Sequence, residues 1–150
     1  SIGVTQPTLF QQELSKWYLN SDTFTVGKGT PADDLLALLD KLRQYDQVFV
    51  SINDTRTRPA SKLDYSNGVK FFIAEVAAHP SSVVCVFANP YTIAGLPGIE
   101  KSGALIAGYQ MSDEMQRSAV KVITRVINPK GKLPVRVNVF FPYGTGVSLK

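Results

Sequence analysis

The stretch of this chain richest in groups able to bind a ligand or move a proton is Asn53-Asp54-Thr55-Arg56-Thr57-Arg58-Pro59, with Asp64 close behind. Two guanidinium groups beside a carboxylate and hydroxyls could hold an anion or a sugar. In a plain surface loop the same charges would simply be solvated. The candidate ligand contacts are therefore Asn53, Asp54, Thr55, Arg56, Arg58 and Asp64. Glycoside hydrolysis needs two carboxyl groups about 5–10 Å apart. Only Asp54 and Asp64 fall in this segment, with no second acidic loop evident to face them, so no complete catalytic set is expected. Asn53-Asp54-Thr55 also has the form of a glycosylation acceptor, a pattern short enough to arise by chance.

Other chemistries are excluded by residue type. The single cysteine, Cys85, rules out an intramolecular disulfide and any cysteine-based zinc site. It lies among valines, where a thiol is buried and a poor nucleophile. The single histidine, His79, rules out two-histidine metal motifs, and its place beside Pro80 reads as structural. Gly27-Lys28-Gly29 lacks the third glycine of a dinucleotide loop. Gly131-Lys132 is followed by Leu133 where a phosphate loop needs Ser or Thr. No G-x-S-x-G elbow exists. No metal and no cofactor are expected.

These residues must be positioned by regular elements, and the chain is long enough for them. With 150 residues, 44% hydrophobic and a mean hydropathy of +0.00, it predicts one globular domain, 1–150. No apolar run approaches the ~18 residues of a membrane helix. Ser1 opens directly into folded-looking sequence without a visible targeting segment, as suits a domain excised from a longer polypeptide. The net charge of +4 is uneven: residues 1–116 sum to −3, whereas residues 117–150 carry seven Lys and Arg and no acid. The basic residues lack the aromatic interleaving of a single-strand binder. A solvated face or a surface meeting another domain is expected, not nucleic acid.

Short β-rich runs alternate with helical ones. Residues 1–4 read as the end of a first strand and 23–26 as a second. Buried strands follow at 48–52 and 83–87, a weaker one at 104–108 and a last one at 133–137. Helical stripes appear at Leu9, Phe10, Leu14, Trp17 and Tyr18, and at Leu35, Leu38, Leu39 and Leu42, the latter capped by Thr30 with Pro31 at the first position. Val69, Phe72, Ile73, Val76 and Ala77 mark the cleanest helix. A last helix, capped by Ser112, turns Met115, Ala119, Val122, Ile123 and Val126 inward and leaves Arg117, Lys121 and Arg125 on its opposite face. Strands separated by helices require crossover connections. The expected architecture is α/β, a three-layer α/β/α sandwich with a mainly parallel sheet of about five or six strands, flavodoxin-like. Ligands of such folds bind beyond the carboxyl ends of the strands, which singles out the loops 53–66, 88–98 and 109–112.

Several of these segments together resemble a known family. Tyr45-Asp46 precedes a Val-rich strand, Phe87-Ala88-Asn89-Pro90-Tyr91 ends the next, Tyr109 follows the third, and Asn128-Pro129-Lys130-Gly131-Lys132-Leu133-Pro134-Val135 follows the last helix. The series resembles the C-terminal α/β/α domain of glycoside hydrolase family 3, in the branch of the bacterial β-N-acetylglucosaminidases (β-hexosaminidases). In this resemblance Asn89, Pro90, Tyr91, Gly131, Lys132, Leu133 and Pro134 are structural motif positions. Pro90 suits a first helical turn entered from Asn89, and Pro134 a strand start or edge. The resemblance implies that an N-terminal (β/α) barrel of the same polypeptide carries the aspartate nucleophile. It further implies that acid/base chemistry in this branch comes from a barrel histidine. In the β-glucosidase branch the C-terminal domain contributes a glutamate, but Glu13, Glu75, Glu100 and Glu114 all lie outside the 53–66 loop. The implied role is accessory, without catalysis by this domain, with carbohydrate at an interface between domains and a periplasmic or extracellular location. Arg117, Lys121 and Arg125 depart from the alanine-rich surface expected of a relative. The alternatives are a stand-alone module binding a small anion or sugar, and a domain lending Asp54 or Asp64 to a barrel active site.

Overall fold

The first two helices form where their stripes predict, but their ends differ from the expected ones. The chain is described by a computed structural model at residues 1–58 and 60–147. Thr8 and Gln11 cap each other's backbone at the start of α1, Leu9–Ser15, which buries Phe10 and Leu14. Trp17, expected on the same stripe, is instead 57% exposed, because the helix ends at Ser15 and the chain turns before reaching it. Helix α2, Ala32–Leu42, carries Asp33 and Asp34 in its first turn, where the helix dipole favours anions. Its N-cap is Pro31 and not Thr30, whose hydroxyl donates to Gly27 O (3.2 Å) inside the preceding turn.

Strand β1, Val48–Asn53, pairs in parallel with β2, Ser82–Phe87, from Val48 opposite Ser82 to Asn53 opposite Phe87. Strand β3, Ala104–Ala107, pairs in parallel with the other side of β2. Helix α3, Asn67–Ala77, starts at Ser66 and buries Val69, Phe72, Ile73, Val76 and Ala77, the stripe that its sequence predicts. After β2 come two short 3-10 turns, Pro90–Gly95 and Ile99–Lys101. Helix α4, Asp113–Ile123, is capped by Ser112, which accepts from Met115 N. Side chains alternate across the sheet. Val48, Val50 and Ile52 face α2 and α3, and Cys85 and Phe87 face α1 and α4, giving helices on both faces.

Among the described residues the sheet has three strands, not the five or six expected. Residues 1–4 and 23–26 reach it only through isolated parallel bridges, Ile2 to Ile52 and Ile2 to Val26. Residues 133–137 form no strand. Leu133 N donates to Thr145 O (2.8 Å) and Val137 N to Phe141 O (3.0 Å), so the tail folds back on itself. A nearby partner closes a short loop at low entropic cost, and Pro134 lacks the N–H that a ladder uses. Gly131, Lys132, Leu133 and Pro134 therefore belong to this folded-back segment and not to a strand start. Across the molecule the parallel positions run Val26, Ile2, β1, β2, β3, so chain order reverses between Ile2 and β1.

Helix α4 also departs from its expected register. It buries Gln116, Ala119 and Val120, with Met115 and Ile123 half-buried, whereas Val126 is 53% exposed. The helix stops at Ile123 and Arg125 takes a left-handed φ of 58°, so Val126 and Arg125 leave the helical register. Arg117 is not left to solvent alone: it donates to Glu13 Oε1 of α1 (3.2 Å).

Candidate functional site

The carboxyl ends of all three strands open into one cleft of about 420 Å3. It is lined by the residues that leave β1 (Asp54, Thr55, Arg56), those that leave β2 (Phe87, Ala88, Asn89) and residues 109–112 after β3. Asp54 N donates to Phe87 O (3.1 Å), which extends the ladder by one step and brings the first two loops together. Gly108 lies against Phe87, where an added Cβ would sit 2.6 Å from the ring. Tyr109 then adopts a left-handed φ of 61° and Gln110 N returns to Gly108 O (2.7 Å), a tight turn that places Gln110 and Ser112 at the rim. Asn89 accepts from Tyr91 N (3.1 Å) and Pro90 opens the following turn, as expected for a cap and a first-turn proline.

Asp54 and Arg56 neutralise one another. The guanidinium approaches bidentately, Nε to Oδ1 and Nη2 to Oδ2, both 2.7 Å, and Arg56 N adds a third bond to Oδ1 (3.1 Å). Nη2 also donates to Lys62 O (2.8 Å), which pins the far side of the loop. The Arg56 guanidinium holds the Asp54 carboxyl below its ordinary range despite the carboxyl's burial. Asp64 is drawn down as well, chiefly by Lys28 Nζ at 2.9 Å, with Arg56 Nε farther off at 3.9 Å. A general acid needs a carboxyl kept protonated near neutral pH. Both of these are pushed the other way.

The other candidates separate. Asn53 does not enter the cleft: it is fully buried, and its Nδ2 donates to Ile2 O (2.8 Å), Ser51 O and Ser51 Oγ, stitching the first segment of the chain to β1. Its Oδ1 has no partner among the described residues. Thr55 is exposed at the cleft rim, and Arg58 is exposed outside the lining. Asp64 turns to Lys28, and Pro59 lies outside the described residues. Tyr91 is exposed beyond the cleft, and Gly131, Lys132, Leu133 and Pro134 do not line it. Cys85 is fully buried, which pushes its thiol pKa upward.

Two residues that shape the site carry no sequence signal of their own. Tyr65 Oη donates to Asn53 O (2.6 Å) and sits beside Ile2 O (3.2 Å), filling the point where strand order reverses. Gly3, with φ +86°, makes room for that hydroxyl, since a Cβ there would overlap Tyr65 and the Asn53 carbonyl. The crevice where such sheets ordinarily take ligands is thus plugged by the protein, and the open cleft lies one strand over. No group of His, Cys, Asp and Glu among the described residues is arranged to hold a metal ion. No helix of the described residues is long and apolar enough to cross a membrane. Compared with protein-family models, with curated proteins and with solved structures, the chain finds no match.

Proposed function

We propose that this chain is the accessory C-terminal domain of a family 3 glycoside hydrolase of the β-N-acetylglucosaminidase type. It would be built on a flavodoxin-like order and act beside a (β/α) barrel of the same polypeptide, without hydrolysing glycosides itself. The observation that carries this reading is the charge state of the strand-end cleft. Among the described residues its one carboxylate, Asp54, is already bound by Arg56, and no second acid lines it. Such a cleft can hold a ligand but offers no acid/base pair. The parallel order Val26, Ile2, β1, β2, β3 supports the flavodoxin-like assignment.

Within the same cleft a neutral sugar is favoured over an anion. The guanidinium fork of Arg56 is spent on Asp54, and Asp113 and Glu114 occupy the first turn of α4 beside the rim. Asn89, Gln110 and Ser112 offer amide and hydroxyl groups, and Tyr109 an aromatic ring. Two assays test the proposal. The purified chain should not turn over a nitrophenyl N-acetyl-β-glucosaminide, and amide shifts at Asn89, Gln110 and Ser112 should respond to N-acetylglucosamine but not to sulfate. Turnover that survives repurification and disappears in Asp54→Asn would overturn the non-catalytic role. Shifts with sulfate alone would favour a stand-alone anion-binding module.

A further inference from the structure

At the opposite end of the sheet, where β1 begins, a cavity of about 350 Å3 runs between the two helix layers. One wall is Leu38 and Leu42 of α2 with Phe72 and Val76 of α3, and the other includes Leu14 of α1 and Tyr18. The cavity is a gap in the sheet between Phe24 and β1. Ile2 N donates to Ser51 O (2.8 Å) and Ile2 O accepts from Asn53 N (3.1 Å). Ladder bonds between parallel strands recur every second residue. One step back along both strands, the position preceding Ser1 falls opposite Val50, facing the C=O of Phe49 and the N–H of Ser51. On the other side Val26 N donates to Ser1 O (2.9 Å) and Ser1 N to Phe24 O (2.7 Å), which turns the N–H of Phe24 toward the position before that. The backbone at Ser1 is therefore already in ladder register on both sides and leads along the gap.

We propose that this gap takes an extended apolar strand of about three residues joined to Ser1, lying parallel between Phe24 and β1. Its length follows from the span opposite Val48, Phe49 and Val50. Its composition follows from parity. The positions opposite Val50 and Val48 share the face of Ile2, toward Leu38, Leu42, Phe72 and Val76, and the position between them lies beside Phe49 and α1. The α2–α3 face is apolar, and the α1 face is mainly so, with Phe10 and Leu14 beside Gln11 and Ser15. The strand should therefore be predominantly hydrophobic, as strands covered on both sides are. Electrostatics agree with the geometry: burial of the Ser1 ammonium lowers its pKa to about 5, a desolvation that a peptide N–H at the same point does not suffer.

The test compares the 150-residue chain with two forms extended before Ser1, one by Val-Ile-Val and one by Gly-Asp-Gly. Both extensions turn the Ser1 ammonium into a peptide N–H and move the terminal charge three residues away, so the difference between them reports the strand. The apolar extension should melt roughly 5 °C or more above the polar one. It should also slow amide exchange at Phe49 and Ser51 on the order of tenfold or more, which the polar one should not do. Equal melting temperatures, or a gain without slower exchange at Phe49 and Ser51, would overturn the proposal. So would a gain that grows with protein concentration, since the strand would then be pairing between copies.

Discussion

Among single residues, Asp54 ties the cleft to the stability of the fold. Its side chain is 2% exposed and holds Arg56 through two 2.7 Å bonds. Hydrogen bonds to charged groups are worth about 1.5–3 kcal/mol, so Asp54→Asn should destabilise the chain by about that much in denaturant titration. The carboxyl is depressed in the folded state, chiefly by its bonds to Arg56. Its contribution is therefore fully present above the ordinary carboxylate value of about 3.9 and is lost as pH falls through the lower folded value. Melting temperatures taken down the acid limb should show the parent losing stability below about pH 4 and converging on Asp54→Asn. Parallel curves would show that the pair does not titrate as described. Gly3 is the other sensitive position. Gly3→Ala puts a methyl where Tyr65 Oη and Asn53 O already lie, at a φ that side chains rarely adopt. A loss on the order of 3 kcal/mol or more is expected, and a variant of parental stability would mean that the Tyr65 plug moves aside freely.

At the level of elements, two helices show how a periodic stripe succeeds and how it fails. In α3 every position of the stripe is buried, and Phe72 is 2% exposed against β1 and its neighbours. Phe→Ala in a core costs about 3–5 kcal/mol, so Phe72→Ala should lower the melting temperature by many degrees. In α4 the apolar residues continue past the point where the helix stops. Val126, the last residue of an apparently inward series, ends 53% exposed after the left-handed turn at Arg125. Val126→Ala should therefore change stability by less than about 0.5 kcal/mol. A large loss there would restore the longer helix that the periodicity implies. The difference between the two helices lies at their ends: α3 is bounded by Ser66 and by Pro80, whereas nothing in the run after Ile123 announces a stop before Asn128-Pro129.

For the molecule as a whole, the described basic residues of 117–150 stand at the surface without forming one continuous face. Arg117 is held by Glu13, which Lys16 also shares, and Arg125 leaves the face that carries Lys121. An array of that kind presents no continuous stripe to a phosphate backbone, whose binding would fall steeply with salt. At micromolar protein and roughly 0.15 M salt, duplex and single-stranded DNA should give no mobility shift. Submicromolar, salt-sensitive retention that vanishes when Arg117, Lys121 and Arg125 all become glutamine would show the opposite.

The sequence alone determined the α/β class, β1 and β2 to within one residue, the buried stripe of α3, and the three loops that meet at the strand ends. Those features depend on local periodicity, caps and short buried runs, which a chain displays without knowing its partners. Only the tertiary structure decided which side chains of those loops are available. Asp54, Arg56 and Asp64 read as a ligand-binding constellation because charge and hydroxyl groups cluster there. Folding turned them into an ion network with Lys28, a residue 36 positions from Asp64. The width of the sheet escaped the sequence for a related reason. An apolar run becomes a strand only if a neighbour offers a free edge at the right spacing, and residues 133–137 found a closer partner in their own tail. Tyr65 and Gly3 were silent for the same cause: their roles exist only once Ile2 lies beside β1, and no spacing along the chain records that approach.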